Sequence, residues 1–309
     1  MPNGYDIIGD IHGQADKLRH LLAQLGYREE DGVHRHPQRQ VIFLGDFIDR
    51  GPKQLETLGI VRPMVEEGTA LAVMGNHEFN ALAWYQEDPE AAGAYLRPRT
   101  DKNHRQHRQF LAEVESDAEL HGQLMGWFRT LPLYLDLPGL RVIHACWHPE
   151  HLAHIQPQLD ADHCITDALL VAASRRGSAE YVAIEVMLKG LETPLPKGVT
   201  FHDKDGHERA NIRVRWWDPE LRHYRSAALI DEATRAKIPA TPLPDSVAIG
   251  YRGDKPLFIG HYWMTGDPEP LTPTIACLDY SAGKEGPLVA YRWDGESQLR
   301  ADKFLGSLP

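Results

Sequence analysis

YDIIGDIHGQ, residues 5–14, starts as a β-prone apolar run and breaks at Gly9 into a turn that carries Asp10 and His12. Leu18, Leu21, Leu22 and Leu25 follow at i, i+3, i+4 and i+7, the stripe of an amphipathic helix, and Gly26 stands where a left-handed helix cap belongs. The same order recurs twice. An apolar strand over 41–44 ends at Gly45-Asp46; Leu55, Leu58 and Val61 then continue as a helix that Pro52 starts and Pro63 should kink or end. A strand over 71–74 runs into Gly75-Asn76-His77-Glu78, with another helix expected to open after Phe79. A fourth strand, 140–143, ends at His144, and a later one, 257–259, ends at Gly260-His261. Stretches 274–279 and 288–293 read as antiparallel strands that finish a sheet. Alternation of strand and helix argues for an α/β (α+β) fold. Polar motifs at the carboxyl ends of strands are where such sheets bind ligands.

Two regions depart from this rhythm. Residues 97–130 read as helical and carry a local basic cluster, Arg97, Arg99, Lys102, His104, Arg105, His107 and Arg108. The cluster either draws an anionic substrate toward the cleft or forms a solvated helix face. Residues 150–245 hold a helical piece over 167–188, a Pro/Gly-rich connection, and a strand expected over 211–217. We read 150–245 as an insertion that caps the active face of one domain spanning 1–309.

The composition removes whole classes of function. The 309 residues contain 33 Lys+Arg against 44 Asp+Glu, a net charge of −11, where a general nucleic-acid binder would carry a basic face. Mean hydropathy is −0.43 and no apolar run approaches the roughly 18 residues of a membrane span. The opening residues show no secretory pattern. Cys146, Cys164 and Cys277 are widely spaced and form no C-x-x-C, which fits a reducing cytoplasm rather than a disulfide framework. A cytoplasmic location is therefore expected. Histidine is abundant, with 17 residues, which directs attention to metal ligands.

Five strand ends deliver Asp10, His12, Asp46, Asn76, His144 and His261. Each offers an oxygen or imidazole nitrogen suited to a divalent first-row metal, aimed by a rigid strand. Two ions about 3.5–4 Å apart, sharing a carboxylate, can activate a water and clamp a phosphoryl oxygen. The motifs G-D-I-H-G-Q at 9–14, G-D-F-I-D-R-G at 45–51, G-N-H-E at 75–78, a strand ending at His144, and G-H at 260–261 resemble the calcineurin-like metallophosphoesterases. Within them the PPP, Ser/Thr phosphatase-like superfamily is nearest, and the match covers roughly 5–148 and 255–295.

The resemblance implies a four-layer sandwich: two mixed β-sheets packed face to face, flanked by helices, with a cap insertion. It implies a first ion on Asp10 and His12, a bridge through Asp46, and a second ion completed by Asn76, His144 and His261. Manganese stands first, with iron and zinc as the other candidates. It implies Arg50 forking onto phosphate oxygens, His77 as general acid, Asp49 orienting His77, and a metal-bridging hydroxide as nucleophile. Asn76 would also touch the substrate phosphate. A second phosphate-binding arginine is implied, with Arg213 and Arg215 as candidates in Asn211-Ile-Arg-Val-Arg-Trp-Trp. That segment and the C-terminal layout resemble the bacterial symmetrical diadenosine tetraphosphatases. The chain mixes branches: Glu78 is the protein-phosphatase spelling, and Ala145 matches the tetraphosphatase His-Ala-Gly where Cys146 does not.

The first expectation is a metal-dependent phosphatase acting on phosphate monoesters, phosphoproteins included. The second is a symmetrical bis(5'-nucleosyl)-tetraphosphatase or other nucleoside polyphosphate hydrolase. A third, from another class, is a non-catalytic metal-binding scaffold that keeps the fold. No membrane partner and no general nucleic-acid partner are expected.

Overall fold

In the computed structural model, which describes residues 3–202 and 206–307, the Gly4–Ile8 strand lies at the centre of a five-stranded sheet. The order across that sheet is Phe304–Gly306, Val289–Trp293, Gly4–Ile8, Arg39–Phe43 and Ala70–Ala72. The last three run parallel, and the Val289–Trp293 and Phe304–Gly306 strands add antiparallel neighbours. A second, four-stranded sheet follows the order Ile275–Cys277, Leu257–Ile259, Arg141–Ile143 and Tyr134–Asp136, parallel except for its last strand.

Side-chain alternation explains how the two sheets meet. Ile7, Ile42, Leu44 and Val73 from the first sheet share one buried cluster with Val142, Phe258, Ala276 and Leu278 from the second. Their chain neighbours Ile8, Val41 and Phe43, and Ile143, Leu257, Ile259 and Cys277, belong to the other cluster, where the helices pack. Successive residues of a strand face opposite sides, so each sheet shows one face to its partner sheet and the other to helices. The expected sandwich of two mixed sheets flanked by helices is what these residues build.

The first helix, Ala15–Leu25, buries Leu18, Leu21, Leu22 and Leu25, and Gly26 closes it at φ 90°. Local expectations need four corrections. The helix Gln54–Glu66 runs on past Pro63, because Met64 is fully buried and tertiary packing holds the last turn. The next helix begins at Asn76 rather than after Phe79: Gly75 is its cap, and Glu78 reaches back to the Gly75 N–H. Asn76 and His77 thus lie in a helix's first turn. The Ile275–Cys277 and Val289–Trp293 strands do not pair with each other. Leu278 N–H bonds Ile259 O and keeps the first in the second sheet, while the second pairs with Gly4–Ile8, so the connection between them crosses from sheet to sheet. The strand expected over 211–217 stops at Arg213, since Trp216 and Trp217 are both buried and an alternating strand would turn one of them outward.

Residues 97–130 form two helices, Asp101–Val114 capped by Thr100 and Ala118–Phe128 capped by Asp117. The 150–245 region contains the helices Asp167–Ala173 and Ala179–Lys189 and the paired strands Glu192–Pro194 and Asn211–Arg213. Among the described residues, no helix is long and apolar enough to cross a membrane.

Candidate metal centre and catalytic cleft

Asp10 follows the Gly4–Ile8 strand by two residues, Asp46 follows Arg39–Phe43 by three, His144 directly follows Arg141–Ile143, and His261 follows Leu257–Ile259 by two. These central strands from both sheets end side by side, so side chains far apart in sequence converge. Close backbone approach makes this possible. Gly75 packs so tightly that a Cβ there would lie 2.3 Å from Asp46 N, and Gly45 faces Gly75 in the same way at φ 87°. Non-glycine residues with positive φ gather here too: His12, Asp46, Asp49, Arg50 and His261 are five of the nine among the described residues. Such sparsely populated conformations persist where the surroundings hold them, commonly at functional sites.

The six predicted ligands are all buried. His12 Nδ1 donates to Ile48 O at 2.9 Å, and His144 Nδ1 donates to Leu44 O at 2.7 Å. Each therefore turns Nε2 toward Asp46, whose Oδ2 lies 3.6 Å from His12 Nε2 and 3.5 Å from His144 Nε2. Asn76 Oδ1 lies 3.2 Å from His144 Nε2 and 2.8 Å from His261 Nδ1. With the amide turned over, its NH2 instead donates to those nitrogens and to Leu188 O. One orientation of Asn76 thus offers a ligand oxygen and the other fills the same space with hydrogen bonds.

Two groups of donor atoms form, His12 with Asp46 and His77, and Asp46 with His144 and His261, each within 4.8 Å, and Asp46 belongs to both. Asp10 joins from the side, its carboxylate accepting the His261 N–H at 3.0 Å. His12 Nε2 is buried with no partner. Acceptors converging on acceptors in a buried space repel unless a cation sits between them, so these residues fit divalent ions. The electrostatics agree. Burial opposes charge on His144, yet the Asp46 and Asp10 carboxylates outweigh it and push its pKa up to about 10. Burial and the nearby Asp279 hold Asp10 well above the usual carboxylate range.

Beside this cluster, His77 Nδ1 meets Asp49 Oδ2 at 2.5 Å. Asp49 is fixed in turn: its Oδ1 takes His107 Nδ1 at 2.8 Å, and its N–H donates to Gln54 Oε1 at 2.6 Å. Burial works against a charged His77, but Asp46 and Asp49 raise its pKa above the ordinary value. The His77 Nε2 faces the cluster, 3.9 Å from Asp46 Oδ2. Arg50 lies with its guanidinium 4.1 Å above the Trp263 ring and lines a cavity together with Asp49, Asn76 and His77.

The two candidate phosphate arginines separate. Arg213 sits 5.8 Å over the Tyr262 ring and 3.8 Å from Glu192; burial lowers the pKa of His261, and the Arg213 charge adds to it. Arg215 ion-pairs with Asp218 at 3.7 Å. Cys146 is buried, and burial raises its thiol pKa well above the usual value, so it is no ready nucleophile.

Three contributors escaped the sequence reading. Glu78 accepts from the backbone N–H groups of Asp46 and Phe47 at 2.8 Å and of Gly75 at 3.1 Å, tying the second motif to the third. Burial and the Asp46 charge push its pKa up to about 7 against these donors. Asp279 accepts from Trp263 N–H and Ser281 N–H at 2.8 and 2.9 Å and shapes the loop beside Arg50. His107 was readable as an inward residue, since it shares the i, i+3, i+4, i+7 face of Phe110, Leu111 and Val114. We expect Glu78→Ala to leave the three N–H groups unpaired and to cost about 3 kcal/mol or more, at 1–3 kcal/mol per buried orphan. Chemical denaturation should show that loss together with weaker metal retention; an unchanged midpoint would remove Glu78 from the framework.

The calcineurin-like phosphoesterase family model matches residues 5–171. The asymmetrical bis(5'-nucleosyl)-tetraphosphatase PrpE of Oceanobacillus iheyensis is 32% identical over 149 residues, 48% of this chain and 57% of that protein. The Bacillus subtilis protein of the same name is 45% identical over 146 residues, 46% of this chain and 57% of its own. The matched segment thus spans little more than half the length of these curated relatives. Among solved structures, a Saccharomyces cerevisiae protein serine/threonine phosphatase shares the fold, with a TM-score of 0.52 at 15% identity over 99% of this chain and 79% of that one. The relatives' printed names carry the asymmetrical reaction, whereas the second expectation from the sequence was the symmetrical one.

Proposed function

The chain belongs to the calcineurin-like phosphoesterase family, and from that premise we propose that it hydrolyses phosphoester bonds at the cluster centred on Asp46. In this reading Asp10, His12 and Asp46 hold one divalent cation, and Asp46, Asn76, His144 and His261 hold the other. The observation that carries it is the sharing of the Asp46 carboxylate by two buried groups of donor atoms, each gathered within 4.8 Å. Cations bound there supply Lewis acidity toward a phosphoryl oxygen and an attacking water. The mixed imidazole and oxygen donors suit manganese, iron or zinc.

The chain's own side chains complete the chemistry. Arg50, at the cavity rim, forks onto phosphate oxygens and orients the group being transferred. His77 holds a proton on the nitrogen that faces the cluster and passes it to the leaving oxygen, with Asp49 fixing the ring and favouring the charged form. Arg213 answers charge from the His261 side. Residues 150–245 act as a cap, and Lys189 lines the cleft from that segment.

Two substrate classes are compatible with this chemistry. A phosphate monoester needs only Arg50, His77 and the metal cluster. A nucleoside polyphosphate is favoured by the relatives' printed names and by a strongly basic wall beside His77. Chromatography of the products formed by the Mn2+-loaded protein from diadenosine tetraphosphate tests this, with an aryl phosphate as reference. We expect the tetraphosphate to be consumed faster; ADP alone would report cleavage at the centre, and AMP with ATP would report cleavage off it. Survival of the tetraphosphate while the aryl phosphate disappears would leave a monoesterase.

A further inference from the structure

We propose that the cavity beside His77 is a subsite for the uncleaved phosphates of a polyphosphorylated nucleotide, read by Arg97, Arg105 and Arg108, with Lys189 closing it from the 150–245 segment. The inference rests on the phosphoester chemistry proposed for the Asp46 cluster and deepens it.

The cavity measures about 500 Å³ and opens on Asn76, His77 and Arg50. That volume lies in the range of sites for nucleotide-sized ligands. Five cationic side chains line it, Arg50 and these four, against a single carboxylate, Asp49. Both Asp49 oxygens are already taken, one by His77 and one by His107. In a chain of net charge −11, such a one-signed wall is a local feature and not a consequence of composition.

The partners of these cations sharpen the point. Arg97 is half-buried, and its guanidinium reaches only neutral amides, Gln106 Oε1 at 2.8 Å and Asn103 Oδ1 at 3.4 Å. Burial holds its pKa below the ordinary guanidinium value, with Asp49 and Glu185 acting only at longer range. Among the described residues, no carboxylate lies within ion-pair distance of Arg97, Arg105 or Arg108, whereas Lys189 pairs with Glu185 one turn earlier. Arg105 and Arg108 are three residues apart on the Asp101–Val114 helix, so their side chains share a face and repel each other. An arrangement of this kind is relieved by a polyanion.

The chemistry of that polyanion follows from the donors. Planar guanidinium forks match paired phosphate oxygens. A lone transferred phosphate would be met by Arg50 and the metal cluster and would leave the other arginines without a counter-ion. A ligand that satisfies the wall brings further phosphates next to the one being cleaved.

Equilibrium dialysis of the Mn2+-loaded protein with inorganic tripolyphosphate and with inorganic phosphate tests the subsite without turnover. We expect tripolyphosphate to bind at least about tenfold more tightly than phosphate, and the double variant Arg105→Gln/Arg108→Gln to lose about tenfold of the tripolyphosphate affinity. In kinetics, the same variant should lower kcat/KM for diadenosine tetraphosphate about tenfold more than for an aryl phosphate. Both arginines are exposed, and a thermal melt matching the parent shows that the fold is intact. Equal affinity for the two probes, or an equal loss on both substrates, overturns the subsite. So does a selective loss on an acidic phosphopeptide with tripolyphosphate binding unmoved, which would assign the wall to peptide. Arginine-dependent tripolyphosphate binding in a protein that turns over neither substrate would retain the subsite and reject the catalytic reading.

Discussion

Asp46→Asn should reduce phosphoester hydrolysis by about a thousandfold or more and leave fewer than two metal ions per chain. The substitution keeps the shape of the side chain and removes its charge. Oδ1 can still accept the His77 N–H, provided the new amide presents its oxygen there. The loss falls on Oδ2, the atom that faces His12 Nε2 on one side and His144 Nε2 on the other. An amide nitrogen at that position would donate hydrogen bonds into the space meant for cations, and both imidazoles would find a partner of the wrong kind. The several kcal/mol that metal polarisation contributes to phosphoryl transfer convert to a rate factor of about a thousand. Elemental analysis after gel filtration and the rate on an aryl phosphate measure the two effects together. Two ions per chain with unchanged turnover would reject Asp46 as the shared ligand.

His77→Asn should act differently, lowering kcat by about 10²–10⁴-fold, the usual contribution of a positioned general acid. The metal content should stay at the parent value: His77 stands in one donor group with His12 and Asp46, but in this reading Asp10, His12 and Asp46 hold that ion, and the second group of Asp46, His144 and His261 is untouched. The signature is dependence on the leaving group. A substrate whose leaving oxygen departs without help, such as a nitrophenolate, should lose little; an alkyl phosphate should lose the most. The structural basis is the short bond from His77 Nδ1 to Asp49, which leaves the opposite nitrogen directed at the cleft. Asp49→Asn should move the same way by a smaller factor, because the ring keeps its place while the carboxylate that favours its charged form is gone. A uniform loss across leaving groups, or a loss of metal, would assign His77 to the metal sphere instead of to proton transfer.

Much of this site was legible in the linear sequence because each ligand follows an apolar strand almost immediately. Gly9-Asp10-Ile11-His12, Gly45-Asp46 and Gly75-Asn76-His77 announce themselves through glycines that only a tight turn requires. The parity of the strands was legible too: Ile7 against Ile8, and Ile42 against Val41 and Phe43, divide between the two cores as a two-residue period demands. Less legible were contacts whose partners are remote. Glu78 looked like a spelling difference between branches, yet it binds three backbone N–H groups from two motifs. His107 was read only as one of a run of basic residues, yet it lies fully buried against Asp49. Arg213 and Arg215 looked equivalent by alternation, but buried Trp216 and Trp217 end the strand between them.

The sequence by itself determined the strand-turn-helix units, the candidate donor set and the order in which it is delivered. These follow from local periodicity, turn chemistry and residue type, which need no knowledge of the rest of the chain. Only the tertiary structure decided that Glu78 ties the second motif to the third, that His107 backs Asp49, and that Arg97, Arg105, Arg108 and Lys189 gather on one wall beside His77. The reason is physical: each is a contact between segments held apart along the chain and brought together by two sheets burying their facing sides. Sequence spacing carries no direct record of such distances until that burial has taken place.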